Sequence, residues 1–129
     1  MDKTKEKKRS ADKAVEAEVI KLDAQGQPVG RLASQIATYL QGKHRPDYAP
    51  YLEGVTVVEV EHADQVQLTG HKWSDKIYYH HTGYLGHLKS ISAEDLHQKK
   101  PHEILRLAVL GMLPKNRLRS RRIKRLKFV

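Results

Sequence analysis

Apolar and polar positions along this chain change period several times, and each change marks an element. Val19-Ile20-Lys21-Leu22-Asp23 is short and β-favouring and runs into a turn, Ala24 to Gly30, that carries Gly26, Pro28 and Gly30. Leu32, Ala33, Ile36, Ala37 and Leu40 then recur at three- and four-residue spacings, the period of an amphipathic helix, and Gly42 stands where that helix should stop. Val55 to Val60 is apolar at nearly every residue, as expected of a strand covered on both faces in a mostly parallel sheet. After a turn at Glu61 to Asp64, Val66 to Thr69 alternates as a short strand closed by Gly70. Lys76 to Tyr79 is the fourth candidate strand and opens into a glycine-bearing loop, His80 to Lys89. Ser92 is an N-cap with Glu94 and Asp95 in the first turn of a helix reaching Lys100. Pro101 fits the first position of the next helix, which is apolar nearly all round and ends at Gly111 and Pro114. Strand, glycine turn and helix in succession open an α/β fold.

The 129 residues suit one domain. Charge changes the picture more than length does. The net charge is +9, and residues 101–129 hold nine Lys/Arg against a single acid, Glu103, while residues 19–100 balance nine against nine. The basic character is therefore a tail, residues 114–129, following a domain at 19–113 and an extension at 1–18. That extension mixes Lys and Arg with Asp2, Glu6, Asp12, Glu16 and Glu18 and has no apolar block, unlike a signal or transit peptide. It reads as a loosely ordered segment. The absence of cysteine excludes disulfides, thiolate metal sites and cysteine nucleophiles and fits a reducing compartment. No apolar run approaches the roughly 20 residues of a membrane span.

A cationic run without acids repels itself unless a polyanion is present. Read as a helix, the tail places Arg119 and Arg122 in the same arc as Leu118, Ile123 and Leu126, which breaks the apolar face a membrane-surface helix needs. Charge on several sides with a few apolar anchors suits folded RNA. A second basic point lies at the helix exit, where Lys43, His44 and Arg45 crowd a sharp turn beside Tyr48 and Tyr51. They serve equally as a helix-dipole cap or a phosphate clamp. In the 80–89 loop, His80, His81 and His87 invite a metal, but adjacent histidines on an extended segment point opposite ways and no zinc-ligand spacing is present. Aromatics, histidines, glycines and Lys89 interleaved suit stacking on bases. The Gly26 to Gly30 turn lacks the spacing of a nucleotide cradle.

Further residues are spread along the whole domain. Asp23-Ala24, Gly30-Arg31-Leu32-Ala33-Ser34, Gly42-Lys43-His44 with Pro46 and Tyr48, and Thr69-Gly70 come first. Lys76 with Tyr78-Tyr79, His81-Thr82-Gly83-Tyr84, Leu88-Lys89 and Gly111-Met112-Leu113-Pro114-Lys115-Asn116-Arg117-Leu118 complete the set. With these the chain resembles the universal large-subunit ribosomal protein family usually called "L thirteen", in its bacterial type, from about Val19 to Lys127. The resemblance implies a three-layer α/β/α domain with a small, mainly parallel sheet, here of four strands, followed by a basic C-terminal helical tail. It implies binding of large-subunit rRNA in early subunit assembly, in the cytoplasm, beside neighbouring ribosomal proteins, with no catalysis, cofactor, membrane or small-molecule substrate. It assigns rRNA contacts to Lys43, His44, His81, Gly83, Tyr84, Lys89, Lys115, Asn116 and Arg117. Arg45 joins them from the crowded turn, and Arg119, Arg121, Arg122, Lys124, Arg125 and Lys127 from charge alone. The chain departs from the family at Arg119, where bacterial relatives usually have Gly, and at His62, where Asn is usual. The rival readings are a nucleotide-type enzyme on the α/β sheet and a peripheral membrane binder using the tail.

Overall fold

The computed structural model describes residues 17–129, so the extension read at 1–18 lies almost wholly outside the described residues. In chain order the elements are β1 (Val19–Asp23), α1 (Val29–Gln41), β2 (Val57–Glu61), α2 (Lys72–Asp75), β3 (Ile77–His81), β4 (Leu88–Ser92), α3 (Ala93–Lys99), α4 (Glu103–Met112), α5 (Arg119–Ile123) and β5 (Leu126–Phe128). A 3-10 turn, Ala63–Gln65, follows β2. Strands β1, β2 and β5 form a parallel sheet in the order β1-β2-β5, and β3 with β4 forms a separate antiparallel pair.

Register explains the core. Val58 pairs with Ile20 and Leu126, and Val60 with Leu22 and Phe128, so one face of the sheet is apolar across all three strands. Against it lie Leu32, Ala33, Ile36 and Leu40 of α1 and Ile104, Leu105 and Val109 of α4, all buried. The other face carries Lys21, Glu59 and Lys127 in direct cross-strand register. The Val55–Val60 run thus has full burial on one face only, at Val58 and Val60, because Glu59 and its charged neighbours keep the other face polar.

Helix ends follow local chemistry. Gly42 adopts φ 79°, and its N–H reaches the Tyr39 carbonyl while Lys43 N–H reaches that of Thr38, a complete Schellman closure of α1. Ser92 Oγ accepts from Asp95 N–H at 3.2 Å and opens α3 as expected. Pro101 does not begin α4, which starts two residues later at Glu103, and Gly30 lies inside α1 rather than in the preceding turn. His62 sits in the left-handed region at φ 52°, a conformation Asn tolerates well, and its Nδ1 lies 3.0 Å from Asp23 Oδ1. The Gln25 N–H and then His62 hold the Asp23 carboxyl below its ordinary value.

Three expectations are corrected. The Val66–Thr69 strand is a single parallel bridge, Gln67 to Pro28, so the sheet has three strands rather than four. The 80–89 loop is mostly hairpin: His80 pairs with Lys89 and His81 with Leu88, leaving a turn between. The tail is helical only at Arg119–Ile123, and its end is β5, the third strand of the main sheet. Alternating Leu126 and Phe128 supply a strand face once β2 offers a free edge, which helical periodicity could not show.

Two arginines fasten that strand. Arg122 is 2% exposed, and its guanidinium donates to the carbonyls of Leu52 at 2.8 Å, Glu53 at 3.4 Å and Pro50 at 3.5 Å. Arg125 donates to the carbonyls of Gly54, Leu40 (3.1 Å) and Glu53 (2.6 Å), and burial pushes its pKa down. The irregular 50–54 connection, which has no sheet or helix partners for these carbonyls, is satisfied by side chains from the C-terminus.

Arg122→Met should therefore lower unfolding free energy by about 3 kcal/mol in urea melts, because buried carbonyls lose their donors. Arg121→Met, on an exposed side chain, should change it by less than about 1 kcal/mol. Acid should act through Glu103, whose carboxyl is held below its ordinary value first by the Arg106 hydrogen bonds at 2.6 and 3.0 Å. A depressed carboxylate stabilises above its unfolded pKa, about 4.3, and that contribution is lost as pH falls through the folded value. Glu103→Gln should flatten the stability–pH curve below about pH 5 by an amount on the order of 0.5 kcal/mol, with little change in its slope above about pH 6.

Candidate nucleic-acid interface

The exit of α1 is the first surface. The Schellman closure at Gly42 turns Lys43 outward, where its side chain is exposed. His44 is less free: Nε2 lies 3.0 Å from Glu18 Oε2, and its ring meets Tyr39 edge-on at 5.2 Å. Arg45 Nε donates to Asp47 Oδ1 at 3.1 Å. The end of α1 is capped by backbone N–H groups and by no basic side chain, His44 and Arg45 turn to acids, and Lys43 faces solvent. A cavity of about 310 Å³ beside it is walled by Arg45, Tyr48, Leu52 and Glu53.

The hairpin is the second. Tyr84 and Leu85 at its turn are 74% and 99% exposed, and Gly83 holds φ 90°, a conformation that suits glycine. Gly83 N–H donates to His81 Nδ1 at 3.0 Å, which makes Nδ1 the acceptor and leaves Nε2–H as an outward donor. His87 is oriented the other way: its Nδ1 lies 2.8 Å from the Leu85 carbonyl, so Nδ1 carries the proton. His80 and His81 occupy successive strand positions and face opposite sides. The three histidines do not converge on a point; two of them hold the turn in shape.

The third is the segment between α4 and β5. Asn116 Oδ1 accepts from Leu118 N–H at 3.0 Å and Arg119 N–H at 3.2 Å, so this side chain orders the start of α5. Its amide N–H groups remain the part available to a ligand. Lys115, Arg117, Lys124 and Lys127 are exposed, Arg119 is half-buried, and Arg121 Nη1 lies 3.5 Å from Glu53 Oε2. Arg122 and Arg125, included from charge alone, are turned inward onto carbonyls. Charge cannot distinguish a displayed arginine from a buried one.

The arginine clasp brings the first and third surfaces together, since Arg125 reaches the Leu40 carbonyl at the end of α1 and Arg121 reaches Glu53. The hairpin stands on other elements, α2 and α3. The sequence reading missed the outward face of the hairpin, Ile77, Tyr79 and Leu88, all exposed. Its signal was the alternation Ile77, Tyr79, His81, hidden by ending the strand at Tyr79. Among the described residues no helix is long and apolar enough to cross a membrane.

Comparison with known proteins supplies the remaining observation. The sequence profile of the family described as "Ribosomal protein L13" matches residues 17–129. The chain is similar to "Large ribosomal subunit protein uL13" of Syntrophobacter fumaroxidans, 53% identical over 108 residues, which cover 84% of this chain and 76% of that one. The protein of the same name from Clostridioides difficile is 50% identical over 106 residues, covering 82% and 74%. That of Desulfotalea psychrophila is 43% identical over 113 residues, covering 88% and 80%.

Proposed function

The chain belongs to the ribosomal protein L13 family, and on that premise we propose that it is a structural constituent of the large subunit that grips rRNA through charge its own fold leaves exposed. It is not an enzyme, and it works in the ribosome of the cytoplasm beside other large-subunit proteins. An early part in assembly fits a domain whose core, the sheet with α1 and α4, is packed from the chain's own residues.

The observation that carries this reading is the division of the C-terminal charge. Arg122 and Arg125 are consumed by carbonyls, and by anchoring β5 they hold Lys115, Arg117, Arg119, Arg121, Lys124 and Lys127 on a rigid base. Ordering these side chains beforehand reduces the entropy lost on binding. Lys43, His44 and Arg45 extend the same surface past α1. His81, Gly83, Tyr84 and Lys89 offer a second point of contact, with Tyr84 free to stack on a base and His81 Nε2 to donate. Phosphate contacts position the protein and RNA shape supplies specificity. The peripheral-membrane reading loses its helix, since the tail is a five-residue helix and a strand.

With about six phosphates neutralised, log K for large-subunit rRNA should fall with log salt at a slope steeper than about −4. Lys115→Ala, Arg117→Ala and Arg119→Ala together should make that slope shallower by about 2 and leave the melting temperature unchanged. Gel shifts across a KCl series read the first quantity and calorimetry the second; a wild-type slope near −1 would sink the proposal. Point variants are needed because a chain ending at Leu113 also loses β5 and both clasping arginines.

A further inference from the structure

A groove of about 460 Å³ lies between α2 and α3, and none of the surfaces above includes its residues. Glu94, His97 and Gln98 line it from α3, at three- and four-residue spacings that put them on one helix face. Trp73, the chain's one tryptophan, lines it from α2, half-buried and seated on the core. The Trp73 and His97 rings meet at 4.9 Å with a tilt of 59°. No Lys or Arg lines the groove. Its one carboxylate, Glu94, is exposed and has no ion-pair partner among the described residues. His97 Nδ1 is buried, and the described residues leave it unpaired. His71, Glu94 and His97 do not make a metal site, since no group of three such ligands comes together among the described residues.

A carboxylate beside an indole, in a groove without cations, selects a cation as occupant. A phosphate chain would meet Glu94 with no lysine or arginine to offset it, which sets this groove apart in a chain of net charge +9. An apolar segment would bury the carboxylate unpaired. A guanidinium satisfies both walls: its flat face stacks on an indole and its fork meets a carboxylate in two parallel hydrogen bonds. It also brings further donors to a groove that holds an unpaired ring nitrogen. A lysine ammonium is a point charge and would use the carboxylate without the flat contact. We propose that this groove docks an arginine side chain of a neighbouring large-subunit protein, with the guanidinium between Trp73 and Glu94. The inference rests on the reading of the chain as a large-subunit constituent, and it adds a protein contact to the RNA contacts of that reading.

Trp73 fluorescence reads the groove directly, because the chain has no other tryptophan. With the full chain, N-acetylargininamide should shift that emission saturably in the millimolar range, and N-acetyllysinamide should need about threefold more. Glu94→Gln should weaken the arginine response about threefold, the effect of removing one well-placed ion pair. The same variant should leave rRNA affinity and its salt slope unchanged, and a change in either overturns the proposal. Equal responses to the two amides, or an arginine response that Glu94→Gln does not alter, also overturn it. In assembled large subunits, benzoylphenylalanine placed at Gln98, an exposed lining position, should photo-crosslink to a neighbouring protein close to one of its arginines. Attachment to rRNA, to a second copy of this chain or to nothing refutes the docking site. A chain that stays out of the subunit refutes the broader reading instead, and the amide titrations still decide the groove.

Discussion

Two guanidinium groups facing a row of backbone carbonyls hold this molecule in one piece. Residues 50–54 cross from α1 to β2 without regular structure, and their carbonyls need donors that neither element supplies. Arg122 and Arg125 supply them from a segment about seventy residues away in sequence. Arginine suits the task because its fork carries five donors and stays charged even when burial lowers its pKa, as it does for Arg125. Arg125 still leaves Nε without a partner, so the clasp is close to saturated from the carbonyl side and not from its own.

This clasp connects architecture to function. It places β5 against β2, and the apolar residues of that strand, Leu126 and Phe128, complete the sheet face under α1 and α4. The same ten or so residues carry cations that point outward. A segment with that much positive charge would repel itself if it were independent of the fold. Here part of the charge is neutralised by carbonyl dipoles and one carboxylate, Glu53, and the remainder is spread over a turn, a short helix and a strand. The displayed cations therefore form a shaped surface, and shape is the property by which folded RNA is chiefly read.

The hairpin obeys a different logic. Its inward face, Tyr78 and Ile91, packs on the core, whereas its outward face and turn leave Ile77, Tyr79, Tyr84, Leu85 and Leu88 in solvent. So many large apolar residues on one small element mark an interaction surface. The bonds from Gly83 N–H to the His81 ring Nδ1 and from Thr82 N–H to the His87 carbonyl keep the turn in a defined form, so its aromatic side chains are presented rather than collapsed. His44, paired with Glu18, and His62, paired with Asp23, do related work by tying loops to β1.

Local pattern settled much of this. The period of Leu32, Ile36 and Leu40 with Gly42 after them defined α1 and its end, Ser92 defined the start of α3, and a short run of β-favouring residues defined β1. Those features depend on neighbours within a turn or two, which a sequence displays directly. The family pattern from Asp23 to Leu118 likewise identified the kind of protein without coordinates. Tertiary structure decided the rest. Whether Leu126-Lys127-Phe128 continued a helix or became a strand depended on the free edge of β2, and whether Arg122 met phosphate or carbonyl depended on where residues 50–54 ran. Pairing His80 with Lys89 turned a loop into a hairpin. The physical reason is common to all three. Strand edges, buried donors and charge clusters take their meaning from groups distant in sequence, and only the folded chain brings those groups together.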